Sequence, residues 1–251
     1  MDLIFPDWLD APANIGALTT TRQGGVSGPP YDDGYGRGGL NLGDHVGDRA
    51  EDVTQNRILL QALLLAEPAW LSQVHGNRVL DAKTVVDQPP ADASIATEAA
   101  VVCAILTADC LPVLLCDVAG RVVGAAHAGW RGLVGGVLEN TVVRMREAGA
   151  GDLMAWLGPA IGPERFEVGQ DVRDAFVGRD PAARSAFVAL AGRPGKYLAD
   201  IYQLARNTLA NAGVHKVYGG ELCTVSDPRR FYSYRRDGVT GRMASLIWIK
   251  S

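Results

Sequence analysis

The sequence predicts an α+β fold with mixed sheets, carried by one continuous domain over residues 1–251. Three observations predict it. Segments with strand character outnumber helical ones, two strands are joined by a tight turn into a hairpin, and no linker, repeat or low-complexity tract interrupts the chain.

The elements follow in order. Residues 15–22, IGALTTTR, read as a strand, and the glycine-rich 23–47 reads as a long functional loop. A helix is expected from about Ala50 to Leu65, stopped by Pro68, and a strand over 69–75, AWLSQVH. The apolar run 101–106, VVCAIL, reads as a buried strand. Residues 113–116 and 121–127 form two strands around DVAG, where Asp117 and Gly120 occupy the first and fourth turn positions. A glycine-rich corner leads to a helix from about Leu133 to Ala148, whose Val134, Val137, Leu138, Val142 and Met145 share one face. Gly149 is its natural stop. A strand at 153–157, helices at about 170–177 and 197–212, strands at 214–218 and 221–225, and a last strand at 243–249 complete the reading.

Composition narrows the function. With 47% hydrophobic and 21% charged residues the chain can build a sizeable core, which excludes wholesale disorder. A net charge of −4 without a basic block leaves no electrostatic footprint for nucleic acid. The start, MDLIFPDWLDAP, has neither a basic lead nor a long apolar stretch, and no window spans a membrane. The four cysteines form no CxxC pair, so reduced thiols and a cytoplasmic location are expected.

The hairpin carries the chemistry. With Asp117 paired to Gly120, partner numbers sum to 237, so Cys110 faces His127 with Cβ atoms ~5 Å apart. Pro112 lacks a backbone donor and frays the ladder, which frees Cys110 to point into a cavity. His75, at the end of the strand 69–75, supplies a third donor. Two imidazoles and a thiolate leave one tetrahedral position open, the arrangement of a catalytic zinc. The plain alternative is a small buried cysteine and two loop histidines. Cys103 and Cys116 lie in apolar runs and read as core, and His215 follows a helix end.

TTTRQGGVS, LNLGDHVGD, SQVHGN, TADCLPV, HAGWRG, GPAIGP with FEVG, and FYSYRRDGVTGR together resemble the YfiH-like laccase-domain family, from residue 19 to 242. The family carries two labels, multicopper polyphenol oxidase and zinc-dependent purine nucleoside phosphorylase. The resemblance implies two mixed sheets packed as a sandwich with helices outside, in α/β/β/α layers. It also implies metal ligation by His75, Cys110 and His127.

Of the two chemistries, oxygen reduction at a multicopper centre needs many histidines, and this chain has four. One Cu2+ could substitute at the trio, with Met145, Met154 or Met243 as axial ligand. Phosphorolysis of adenosine, inosine or methylthioadenosine needs instead an anion site beside the metal. The AGWRG corner at a helix start, with Arg131, supplies donors for one, and Arg22, Arg235 and Arg236 lie in other motif loops. Zinc-dependent deamination of adenosine is implied as a side activity.

Further roles follow from the same resemblance. Asp109 is a candidate orienting or proton-carrying group, although a turn aspartate is the plain alternative. Asn41 is a candidate for the purine or ribose, or a loop cap. Gln73 shares the strand parity of His75 and is expected to face the same cavity. Cys223 is placed near the site. The implied partners are a purine nucleoside and phosphate, with the chain as monomer or homodimer. Two other classes remain: a hydrolase with Cys110 as nucleophile and His127 as base, as in editing of a peptidoglycan precursor, and a metal-binding regulatory protein.

Overall fold

The computed structural model describes residues 1–250. In chain order it begins with β1 (Leu3–Ile4), β2 (Ile15–Thr20), β3 (Gln23–Ser27), α1 (Ala50–Gln61) and β4 (Pro68–Ala69). There follow β5 (Val79–Asp81), β6 (Ala93–Ala96), β7 (Val102–Thr107), β8 (Leu111–Asp117) and β9 (Val123–Ala128). Next come α2 (Trp130–Val134), α3 (Val137–Glu147), β10 (Leu153–Leu157), β11 (Glu167–Gly169) and α4 (Gln170–Arg179). The chain closes with β12 (Phe187–Ala189), β13 (Lys196–Ala199), α5 (Ile201–Asn211), β14 (Lys216–Gly219), α6 (Tyr234–Asp237) and β15 (Met243–Ile249).

Two mixed sheets form the sandwich. One has the order β1-β2-β15-β7-β4 and the other β14-β10-β8-β9-β6-β5. β4 runs parallel to β7, and β10 to β14, while the remaining central pairs are antiparallel. Strands buried on both faces lose the polar alternation of a half-exposed sheet. Accordingly Cys103, Ile105, Leu114, Cys116, Val123 and Ile247 fill the space between the sheets. On the outer face of the six-stranded sheet, Leu138, Val142 and Met145 of α3 and Leu204 and Leu209 of α5 cover Val113, Leu115 and Ala155. Leu60 of α1, with Leu40, Leu42 and Trp70, covers Leu18, Ala104 and Leu246 on the other sheet. The expected helix/sheet/sheet/helix layering is what the chain adopts. No helix among the described residues is long and apolar enough to cross a membrane.

Several element boundaries differ from the sequence reading. The helix expected over 133–148 is two helices, because Gly136 at φ 95° breaks it between α2 and α3. The helix expected from 197 starts at Ile201. Asp200 caps it by accepting from the Gln203 amide, and the residues before it form β13 in a small β11-β13-β12 sheet that the periodicity did not reveal. Neither 69–75 nor 221–225 is a continuous strand. In the first only Pro68–Ala69 and an isolated Ser72–Pro90 bridge pair, and in the second an isolated Ala160–Cys223 bridge.

The hairpin register also differs. Asp117 accepts from the Gly120 amide at 2.9 Å, so the turn lies where the sequence placed it. Its carboxylate, however, also takes the Arg121 amide at 2.6 Å and the Val122 amide at 3.1 Å, which draws Arg121 into the loop. Cys116 therefore pairs with Val123 and Pro112 with His127, so partners sum to 239. A shift by two preserves which face each side chain uses. Cys110 becomes a same-face diagonal neighbour of His127, just before β8.

Candidate metal centre

The end of the hairpin opposite its turn collects three donor side chains. His127, on β9, is buried; Cys110 is half-buried; His75 is exposed at the mouth. Their ligand atoms all lie within 4.8 Å of one another, and the Cys110 Sγ stands 3.8 Å from the His75 Nε2. The two imidazole rings meet edge to face with centroids 4.8 Å apart. Ligands of one tetrahedral zinc stand about 3.4–3.6 Å apart at ordinary bond lengths, so small side-chain rotations close the set.

A second observation fits the same ion. Gly129, next to Ala128 of β9, would carry its Cβ 3.0 Å from the Cys110 Sγ, 3.1 Å from the His75 Cδ2 and 3.5 Å from the His127 Nε2. A side chain there would fill the space between the three donors. The donor set, two nitrogens and one sulfur, suits zinc or a single copper. Met243 is otherwise engaged, its sulfur accepting from the Tyr232 amide at 3.1 Å, while Met145 and Met154 belong to the two cores. His45 and His215 are exposed, and the trio is the only such cluster among the described residues.

Asp92 holds the centre together, and sequence reading missed it. This fully buried carboxylate accepts from the amides of Val74, His75 and Gly76 at 3.2, 2.9 and 2.7 Å. It also meets the His127 Nδ1 at 2.8 Å. The amides fix a loop in which His75 sits at φ 58°, a left-handed conformation costly for a side-chain-bearing residue. The imidazole contact turns the His127 Nε2 toward the site. The one available signal was a lone aspartate heading the small apolar run ADASIA.

The electrostatics follow from these contacts. Burial penalises the Asp92 carboxylate, yet the His127 hydrogen bond and the Gly76 amide hold it below its usual range. Burial likewise opposes a Cys110 thiolate, but His127 above all, and then His75, bring the thiol down to about 6. His127 is raised to about 9: burial works against its charge, while Cys110 and Asp92 outweigh it. Cys103 and Cys116 lack such neighbours, and burial pushes each up to about 12.

Beside Cys110 lies a cavity of ≈160 Å³ lined by Trp130, Ile161, Phe166, Ile201, Tyr234 and Arg235. A larger cleft of ≈540 Å³ bordered by Arg57 and Lys83 is remote from this chemistry in composition: Arg57 pairs with Asp44 and Lys83 with Glu98, and no donor of the trio lines it.

The other expected site residues divide. Arg235 borders the cavity, with its guanidinium over Phe166 and Nη1 donating to the Glu167 carbonyl at 2.9 Å. Arg131 is exposed and lies over Trp130, which borders the same cavity. The helix behind it, α2, has only five residues, so the expected anion site at a long helix start is not built. Asp109, at φ 91°, accepts from the Thr224 hydroxyl and the Arg235 amide, both at 2.6 Å. Each oxygen accepts one of these bonds, so Asp109 locks α6 and the 222–225 segment against the Cys110 loop. Cys223 adjoins this lock and accepts from the Gly162 amide at 3.3 Å. Burial raises its thiol, but the Ser226 hydroxyl and the amides of Gly162, Ser226 and Val225 lower it overall. It is not one of the clustered donors.

Three expectations are corrected. Arg22 is buried and spends its guanidinium on the Asp32 and Pro228 carbonyls, leaving nothing for an anion. Asn41 is fully buried and brackets Gly43, Asp48 and Arg242, the loop-capping role. Gln73 does not share the cavity of His75. Without a strand its parity argument fails, and its amide pairs with both backbone groups of Leu106 at 2.7 and 2.8 Å.

Comparison with known proteins agrees with this architecture. Residues 16–250 match the family described as multi-copper polyphenol oxidoreductase laccase. A purine nucleoside phosphorylase of Pseudomonas aeruginosa is 53% identical over 252 residues, covering 98% of each chain. The purine nucleoside phosphorylase YfiH of Escherichia coli is 51% identical over 253 residues, again covering 98% of both. A crystal structure of a Neisseria meningitidis protein superposes with a TM-score of 0.93 at 50% identity, covering 100% of both chains.

Proposed function

The chain belongs to the multi-copper polyphenol oxidoreductase laccase family, and on that footing we propose that it is a zinc-dependent purine nucleoside phosphorylase. The observation that carries this reading is the open two-histidine, one-cysteine centre beside a cavity walled by Trp130, Phe166 and Tyr234. Aromatic faces suit a planar base, and a single metal centre does not suit four-electron reduction of oxygen. The names of the P. aeruginosa and E. coli relatives support the same activity.

In the reaction the bond between ribose C1′ and the purine nitrogen breaks, and C1′ bonds to a phosphate oxygen. The bonding electron pair leaves with the base, which ends with the proton that hydrogen phosphate brought. His75, Cys110 and His127 would hold a zinc ion, which would supply Lewis-acidic charge to the site. Asp92 keeps His127 in the tautomer that presents Nε2. Tyr234, Phe166 and Trp130 exclude water from one side of the base, and Arg235 places positive charge at the rim. Deamination of adenosine by water, releasing ammonia and inosine, is proposed as a side activity of the same site.

Inosine or adenosine turnover should rise several-fold or more on adding inorganic phosphate, with ribose 1-phosphate as product. Equal rates with and without phosphate would make the enzyme a hydrolase.

A second reading rests on one observation, the chain of Cys110, His127 and Asp92. A depressed thiol beside a histidine that a buried carboxylate orients is the arrangement of a cysteine nucleophile. Metal ligation would quench that sulfur. Removal of zinc by a chelator therefore separates the two readings: activity lost favours the phosphorylase, and activity gained favours the cysteine hydrolase.

A further inference from the structure

The cavity beside Cys110 accounts for the base, while Arg22, an expected anion ligand, is committed elsewhere. Arg236 is committed too, to Asp237 and to the carbonyls of Thr224 and Phe231. Arg242 differs. β15 pairs with β7 through Met243 and Thr107, so Arg242 stands at the end of that ladder, where the chain leaves β7 toward Asp109 and Cys110. Its backbone is clamped, with the amide donating to the Asn41 Oδ1 at 2.8 Å and the carbonyl accepting from the Leu42 amide at 3.1 Å.

The side chain is half-buried, and Nη1 donates to the Thr240 and Gly241 carbonyls at 3.0 and 3.1 Å. Nε and Nη2 have no hydrogen-bond acceptor among the described residues, and no carboxylate forms an ion pair with the group. Burial pulls the guanidinium down, and Cys110 and then Asp109 are the strongest charges acting the other way. In a metal-loaded centre the thiolate charge would be spent on the metal, and Asp109, whose oxygens accept from the Thr224 hydroxyl and the Arg235 amide, makes no ion pair with the guanidinium. The half-buried guanidinium is thus left with no ion-paired carboxylate and with free N–H groups open to an arriving anion. The free edge of a guanidinium matches two oxygens of a tetrahedral oxyanion.

We propose that Arg242 anchors the phosphate co-substrate beside the metal centre. The inference rests on the phosphorylase reading for the identity of the anion, but not for the existence of the site. It assigns to Arg242 the choice between phosphate and water as acceptor.

The test measures binding and turnover separately on the zinc-loaded full chain. Inorganic phosphate is titrated calorimetrically into the wild type, Arg242→Gln and Arg242→Lys, with chloride at equal ionic strength as control. Arg242→Gln should weaken phosphate binding at least about tenfold, the loss of one charge-assisted contact. Arg242→Lys, which keeps a point charge, should fall between. The KM for phosphate should rise in parallel while the KM for inosine stays within about twofold.

Unchanged phosphate affinity in Arg242→Gln would overturn the assignment. So would equal losses of phosphate and inosine binding, which would mean that Arg242 only shapes the 240–242 loop. If the wild type binds phosphate through Arg242 yet never transfers ribose to it, the site stands and the phosphorylase reading fails. If phosphorolysis is robust in Arg242→Gln with an unchanged phosphate KM, the reverse holds.

Discussion

The two ends of the β8–β9 hairpin each hold a fully buried aspartate, and they use it oppositely. At the turn, Asp117 accepts from the Arg121 and Val122 amides and from the Arg121 guanidinium at 3.0 Å, so the hairpin satisfies its own charge. At the open end, Asp92 reaches across to the 74–76 loop and to His127, and the Cys110 thiol and the His127 imidazole of the hairpin meet the His75 imidazole of that loop. Buried polarity is common to both. Unspent lone pairs aimed at one point occur at the open end only, and that difference separates a site from a structural lock.

The comparison breaks if the open end tolerates loss of its donors. Cys110→Ser and His127→Ala should each remove most bound zinc and lower nucleoside turnover by more than the roughly 100-fold that losing an orienting neighbour costs. Cys103→Ser, in the inter-sheet core, should retain both. Metal content by mass spectrometry at equal folded fraction decides it.

The metal-free protein gives the next largest contrast. With its thiol near 6 against 12 for the buried Cys103 and Cys116, Cys110 should be alkylated by iodoacetamide while those two are spared, with half-maximal rate near pH 6. The signs set a window for stability as well. Cys110 is depressed, so its contribution is lost as pH falls through about 6; His127 is raised, so its contribution is lost as pH rises through about 9. From the ordinary histidine value of 6.5 up to 9 the two changes run in opposite directions and largely cancel, so chemical denaturation of the metal-free protein should show little net pH dependence there. A steep slope in that range would mean that only one of the two groups is shifted.

Asp92→Asn keeps every ligand atom but replaces acceptors with an amide that faces backbone donors. Zinc affinity should fall about 10–100-fold, measured by chelator competition. Asp117→Asn should do the complementary thing, costing about 1–3 kcal/mol of folding stability and leaving zinc content unchanged. If Asp117→Asn released zinc, the two ends would be one cooperative unit instead of a lock and a site.

The ligand trio was legible in the sequence although the register behind it was off by two. Facing side chains depend on parity, and the Asp117 turn contributed an even shift, so Cys110 and His127 stayed on one face. Arg22, Asn41 and Gln73 were misread for a different reason. Each occurs in a motif-bearing loop and carries the right donors, but those donors are consumed by Asp32, Asp48 and Leu106, residues 7 to 33 positions away. Asp92 and Arg242 were missed because what distinguishes them is which neighbours they have and lack.

What the sequence determined alone was the alternation of buried strands and one-sided helices, and the chemical identity of the three donors. Hydrophobic period and side-chain chemistry are local properties that survive errors in boundary or register. Tertiary structure decided which polar groups remain free. A hydrogen bond saturates its partners, and the partners of Asp92, Asp109 and Arg22 come from segments that meet only when both sheets have closed.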